Sequence, residues 1–127
     1  MKLISLLFIS IFLIGFSSVS ILSQDKNYTI NETNITSANG DTFTITLDAN
    51  HTTGYSWTAD ISDTTILLKE STDYIVPETH VMGKGGNEVW RFRGVMPGSV
   101  TITFKYARPF DKDVPPAKTV TFNVTVQ

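Results

Sequence analysis

Hydrophobic and polar residues alternate with a period of two through most of this chain. Phe43, Ile45 and Leu47 alternate with Thr42, Thr44 and Thr46. Trp90 and Phe92 alternate with Arg91 and Arg93, beginning from Glu88 and Val89. Val100, Ile102, Phe104 and Tyr106 alternate with Ser99, Thr101, Thr103 and Lys105, and Val120, Phe122, Val124 and Val126 with Thr119, Thr121, Asn123 and Thr125. A period of two puts alternate side chains on opposite faces of an extended chain, so each run predicts a half-buried strand. Shorter candidates are Tyr28 to Ile30, Tyr55 to Ala59, Thr65 to Lys69 and Asp73 to Val76. Asp60 to Leu68 has room for one helical turn, but no long 3.6-residue pattern occurs. Asn39-Gly40-Asp41 and Pro97-Gly98 are turn signals. Short β-branched strands joined at a regular pitch predict an all-β protein, an immunoglobulin-like antiparallel β-sandwich.

The first twenty residues follow a different pattern. One cation, Lys2, precedes an apolar run from Leu3 to Phe16, and small residues follow, with Ser18-Val19-Ser20 as a cleavage site and Ser23 as a second. This is the layout of a secretory signal peptide over 1–20, cleaved between 20 and 24. The alternative, a membrane anchor, needs about 20 apolar residues, more than the run supplies. Residues 21–127 then form a single domain of roughly 105 residues, enough for a core. The expected location is the secretory pathway, either outside the cell or in a lysosome- or phagosome-like vesicle.

Composition narrows the chemistry. Without Lys2 the chain has nine basic residues against twelve acidic ones, and no basic cluster, so nucleic acid is not an expected partner. There is no cysteine, which excludes disulfides, a thiol nucleophile and thiolate metal sites. His51 and His80 have no metal-type spacing around them, no Gly-x-Ser-x-Gly elbow occurs, and Asp111 and Asp113 flank Lys112 in a loop. The reading is of a protein that is not an enzyme and needs no cofactor or metal. Nothing points to oligomerisation, and a monomer is expected.

Three segments between strands carry more character than connectors need. Asn50-His51-Thr52-Thr53-Gly54-Tyr55 combines stiff threonines with a glycine bend, and Tyr55 and Trp57 share a strand face that would anchor it. Gly83-Lys84-Gly85-Gly86 permits positive φ and close backbone approach. Arg108-Pro109-Phe110 sets a cation and an aromatic around a locked φ; Phe110 has either a partner protein or the end of the core to pack on. Each segment alone is also readable as an ordinary loop.

Taken in order, the three resemble the chagasin family of inhibitors of papain-like cysteine peptidases. That family carries Asn-Pro-Thr-Thr-Gly-Tyr, Gly-x-Gly-Gly and Arg-Pro-Trp/Phe loops in this sequence. The resemblance covers the whole domain and implies a reversible, non-covalent inhibitor whose three loops form a wedge in the active-site cleft. It implies papain-like, cathepsin L-like peptidases as partners. Thr52 and Thr53 would lie beside the catalytic cysteine, with Gly54 shaping the loop, and Asn50, His51 and Tyr55 would belong to the same peptidase-binding surface. Gly85 and Gly86 would approach the target's backbone, and Arg108 and Phe110 its primed side. A secreted immunoglobulin-like adhesion or carbohydrate-binding module is the alternative, but does not explain the ordered triplet.

His51 departs from the family pattern, which has proline there. Loss of proline is expected to free the unbound loop, at about 0.4–1 kcal/mol. Histidine also titrates in the physiological range, which predicts pH-dependent affinity, unless the side chain simply turns to solvent. The same residue completes the sequon Asn50-His51-Thr52. A glycan there would block the loop, so Asn50 is expected to be unmodified. Four further sequons start at Asn27, Asn31, Asn34 and Asn123, the last on the outward face of its strand.

Overall fold

Eight strands form two four-stranded sheets in the computed structural model, which describes residues 25–78 and 83–127. The expected signal peptide, His80 and Met82 lie outside the described residues. The strands are β1 (Lys26–Tyr28), β2 (Asn34–Ser37), β3 (Thr42–Ala49), β4 (Ser56–Ile61), β5 (Leu67–Ile75), β6 (Gly86–Gly94), β7 (Gly98–Ala107) and β8 (Lys118–Val126). One sheet has the order β1-β3-β6-β5 and the other β2-β8-β7-β4.

The period-two faces do what the pattern requires. Phe43, Ile45, Leu47, Trp90 and Phe92 from one sheet and Ile102, Phe104, Phe122 and Val124 from the other are buried between the layers. Phe104 is the hub: its ring meets Trp57, Trp90, Phe92 and Phe122 edge to face at 5.3 to 6.3 Å. Such pairs add about 0.5–1.5 kcal/mol each beyond area burial. In a domain without disulfides, this aromatic packing stabilises the joint between the sheets.

The sandwich is mostly antiparallel, with two exceptions. β1 pairs parallel with β3, and β2 parallel with β8, so the leading segment contributes one edge strand to each sheet. Alternation reports which face is buried and carries no information on strand direction. β2 went unrecognised because Asn34-Ile35-Thr36-Ser37 offers a single apolar side chain, Ile35, which is 2 % exposed.

The two short candidates around Thr65–Lys69 and Asp73–Val76 are parts of one strand, β5. Its register against β6 shifts between Lys69 and Ser71, leaving Glu70 as the extra residue, and the carboxylate of Glu70 takes the Nε–H of Arg93. A bulge reverses the in-out parity, which hides the continuity of the strand. The helical turn allowed in Asp60–Leu68 is a single hydrogen-bonded turn at Asp63–Leu67, with Asp63 Oδ1 accepting from Thr65 N at 2.9 Å and Thr65 Oγ1 at 2.6 Å.

Strand direction places the loops. β3 ends and β4 begins at one end of the sandwich. There Ala49 pairs with Gly86, Ile75 with Asn87, Ser56 with Ala107 and Tyr106 with Lys118. The connections β3–β4, β5–β6 and β7–β8 therefore leave the sandwich together.

Candidate functional site

The three singled-out segments are those three connections. The first loop, Asn50 to Tyr55, folds into a 3₁₀ turn over His51–Thr53. Asn50 caps it: Oδ1 accepts from Thr52 N at 3.2 Å and from Thr52 Oγ1 at 2.5 Å. Its carbonyl accepts from Thr53 N at 3.2 Å and Thr53 Oγ1 at 2.6 Å. Asparagine serves here because its short side-chain carbonyl reaches the orphan N–H two residues on. The turn ends at Gly54, whose φ of +82° lies in the left-handed region. Tyr55 stacks on Tyr106 with ring centres 5.2 Å apart, and buried Trp57 packs on the same Tyr106 at 4.9 Å, so the expected anchoring holds.

Hydrogen bonds tie this loop to both neighbours. Asn50 Nδ2 donates to Gly83 O of the second loop at 3.0 Å. Arg108 Nε donates to Thr53 O from the third loop at 3.0 Å, and the Arg108 guanidinium lies over the Tyr55 ring at 4.5 Å. Arg108 also stands 4.0 Å from Asp111. The backbone of the loop base is held as well, with Asn50 N donating to Tyr106 Oη at 2.8 Å.

The glycines of the second loop divide between a left-handed turn and close backbone approach within the protein itself. Gly83 has φ +83°, while Gly85 and Gly86 have no positive φ. Their missing side chains make room for the protein's own backbone: a Cβ on Gly86 would lie 2.3 Å from Ile75 O, and one on Gly85 2.9 Å from Ala49 O. Gly86 is the first residue of β6 rather than a loop residue. These two glycines let the second loop close against β5 and the first loop, and Lys84 projects exposed between them and Gly83.

In the third loop the inward alternative for Phe110 does not occur. Its side chain is 69 % exposed, with one edge resting over Gly54, where a Cβ would lie 3.2 Å from Phe110 Cε1. Pro109 beside it is exposed. Thr52, Thr53, Gly54, Lys84, Pro109 and Phe110 thus form the solvent-facing tips, while Asn50, Gly85, Gly86 and Arg108 hold them together.

His51 does not simply turn to solvent. Its ring stacks on Tyr74 with centres 3.7 Å apart and planes 12° apart, and Nε2 lies 3.0 Å from Glu88 Oε2. Glu88 is 3 % exposed, and its carboxylate also accepts from Trp57 N at 3.0 Å and Trp90 Nε1 at 3.2 Å. The loop that lacks proline is restrained instead by this contact. Tyr74, Tyr106 and Glu88 were not recognised from sequence. For Glu88 a signal exists: it shares the parity of Trp90 and Phe92, so a carboxylate at that place must face inward and find donors.

A rigid sandwich that presents three cross-braced loops from one end has the build of a binding protein. Comparison with known proteins gives the class: the family described as "Chagasin family peptidase inhibitor I42" matches residues 36–126. This chain belongs to that family, and so is an inhibitor rather than an enzyme. It is 32 % identical over 108 residues to amoebiasin-1 of Entamoeba histolytica, covering 84 % of this chain and 98 % of that protein. The solution structure of amebosin superposes with a TM-score of 0.65 at 30 % identity, over 82 % of this chain and 99 % of that one. The crystal structure of the cysteine protease inhibitor EhICP2 from Entamoeba histolytica shares the fold at a TM-score of 0.70 and 19 % identity, over 80 % and 94 % of the two chains. PbICP-C, solved in complex with falcipain-2, shares it at 0.56 and 20 % identity, over 82 % and 92 %.

Proposed function

We propose that this chain inhibits papain-like cysteine peptidases, of the cathepsin L-like kind, reversibly and without a covalent step. The three loop tips enter the active-site cleft as one wedge. The observation that carries this is the cross-bracing of the loops: Asn50 to Gly83 on one side and Arg108 to Thr53 on the other. Loops ordered before binding lose little conformational entropy on binding, so more of the contact energy appears as affinity. Thr52 and Thr53 at the centre would face the catalytic cysteine. Phe110 at one flank supplies an exposed aromatic anchor, the residue type that dominates interface energetics. Titration of the purified domain against papain and a cathepsin L-like enzyme tests this. Stoichiometric, reversible, competitive inhibition is expected, and no inhibition at micromolar concentration would refute it.

The setting belongs to the same proposal. A signal peptide over 1–20 would send the chain into the secretory pathway, to act outside the cell or in a vesicle that holds its target. Of the sequons, Asn27 sits on the outer face of one sheet, and Asn34 and Asn123 lie opposite each other on the outer face of the other, 3.3 Å apart. Asn123 is about 17 Å along β8 from the loop end, at ~3.4 Å per residue. Glycans there, or on exposed Asn31, would leave the wedge free. Asn50 is engaged through both its Oδ1 and Nδ2, which supports its being unmodified. Intact mass before and after glycosidase treatment reads the occupancy.

A further inference from the structure

The tip of the first loop buries none of its residues. Thr52 and Thr53 bond through their side chains only within the loop itself, to Asn50 and, for Thr53, to Tyr55 N. His51 alone of the three sends its side chain back to the body of the protein, and it reaches an unusually fixed point. Glu88 is buried on β6, accepts the Trp90 indole of its own strand, and accepts the main-chain N–H of Trp57 from β4 in the opposite sheet. The carboxylate therefore cannot move without disturbing both sheets. On the other side of the imidazole the Tyr74 ring from β5 stacks at 3.7 Å, and the Tyr74 hydroxyl accepts the His51 N–H at 3.4 Å while donating to Ala49 O at 3.2 Å.

We propose that His51 is a positioning residue for the inhibitory wedge: clamped between Tyr74 and Glu88, its imidazole holds the first loop in its binding shape, and the clamp tightens when the imidazole is protonated. The inference rests on the inhibitor reading above for its consequence, but the clamp itself is a property of the free protein. Among the described residues the ionisable groups facing the ring are Tyr74 from β5 and Glu88 from β6. From β7, Tyr106 reaches only the neighbouring Asn50 N–H. A neutral imidazole can donate one hydrogen bond to Glu88. An imidazolium makes that bond charge-assisted, roughly doubling its strength, and compensates a buried carboxylate that otherwise has only N–H dipoles around it. The wedge is then most rigid in acidic surroundings. Had protonation of His51 acted only on a bound target, no change in the free loop would follow.

Two measurements decide this, using His51→Phe, which keeps the stack and loses the bond, and Glu88→Gln. The first is amide exchange of Thr53 and Gly54 in the free protein between pH 5 and 7.5, corrected for the intrinsic rate. Protection should rise about tenfold on acidification in the parent, the scale of a hydrogen bond to a charged group, and stay flat in both variants. The second is the inhibition constant of His51→Phe divided by that of the parent against papain, in which the enzyme's own pH response cancels. That ratio should fall from about tenfold at the acid end to about threefold at the neutral end. Equal protection in parent and His51→Phe, or a ratio constant with pH, overturns the proposal. So does a pH slope of exchange that survives in Glu88→Gln, because the proton would then act elsewhere than through the His51–Glu88 bond. If Glu88→Gln fails to fold, exchange in His51→Phe and His51→Ala decides. If the parent does not inhibit papain, the inhibitor reading fails, and the exchange data still judge the clamp.

Discussion

Two glycines of this protein have nearly the same backbone conformation and opposite surroundings, which makes them a matched pair for testing how the wedge works. Gly54 at the tip of the first loop has φ +82°, and Gly40, in the turn before β3, has φ +88°. They sit at opposite ends of β3, about 25 Å apart at ~3.3 Å per residue. A Cβ on Gly40 meets nothing within 4 Å, whereas one on Gly54 comes within 3.2 and 3.3 Å of two ring atoms of Phe110. Alanine at either position pays the left-handed penalty of about 1–2 kcal/mol, partly offset by about 0.4–1 kcal/mol from a stiffer unfolded chain. Each substitution should therefore cost about 1 kcal/mol of stability. For a domain of this size that lowers Tm by about 4–8 °C. The consequences for inhibition separate. Gly40→Ala leaves the loop end untouched and should inhibit as the parent does. Gly54→Ala must push the Phe110 ring aside or pull the loop off its left-handed turn. Either displaces two contact residues, and an affinity loss of about thirtyfold is expected, the equivalent of ~2 kcal/mol. Thermal unfolding and inhibition titrations of both variants give the four numbers. Gly54→Ala with affinity within twofold of the parent would refute the placement of the tip in the interface. A Tm for Gly40→Ala equal to the parent's would refute the conformational account.

Three further outcomes follow from the geometry. Phe110→Ala removes an exposed ring, so Tm should change little, while affinity falls about thirtyfold as an apolar anchor worth ~2 kcal/mol is lost; dissociation rates in a binding assay would show it. Arg108→Lys keeps the charge but has no planar fork to bond Thr53 O while covering Tyr55, so it should weaken inhibition several-fold, about 1 kcal/mol, with the unfolding midpoint nearly unchanged. The pKa of Asp63 is lowered from 3.8 by its hydrogen bonds to the Thr65 side chain and main chain. A lowered carboxylate pKa stabilises the fold above the unfolded value and loses that contribution as pH falls through the folded value. Asp63→Ala should therefore melt below the parent near neutral pH, and the gap should close in acid below 3.8; a gap that persists unchanged in acid would contradict the assignment.

Much of this protein is legible along the chain because a β-sandwich core is a local pattern. Phe43-Ile45-Leu47 and Ile102-Phe104-Tyr106 alternate without interruption, and each strand's buried face can be read from its own residues. Where the pattern breaks, legibility stops. Glu70 adds one residue to β5 and splits it in two for a reader of periodicity, and β2 rests on Ile35 alone. The three loop segments were conspicuous because glycine, threonine and an Arg-Pro-Phe run are rare together between strands. Their division of labour was hidden, since it depends on which atoms meet across the end of the sandwich. Gly86 reads as a flexible loop glycine, yet its need for no side chain comes from Ile75 O in the adjacent strand. Arg108 reads as a residue for a partner, yet it spends its Nε on Thr53.

By itself, then, the sequence determined the strands, the faces they bury and the presence of three unusual loops, because those depend on neighbours two residues away. The tertiary structure alone decided that β1 and β2 run parallel to their partners and that the three loops leave the same end and brace one another. It alone placed His51 against Glu88, thirty-seven residues away in the chain. Direction, register and side-chain meeting are set by contacts between distant segments, and their energies come into being only when the two sheets close on a common core.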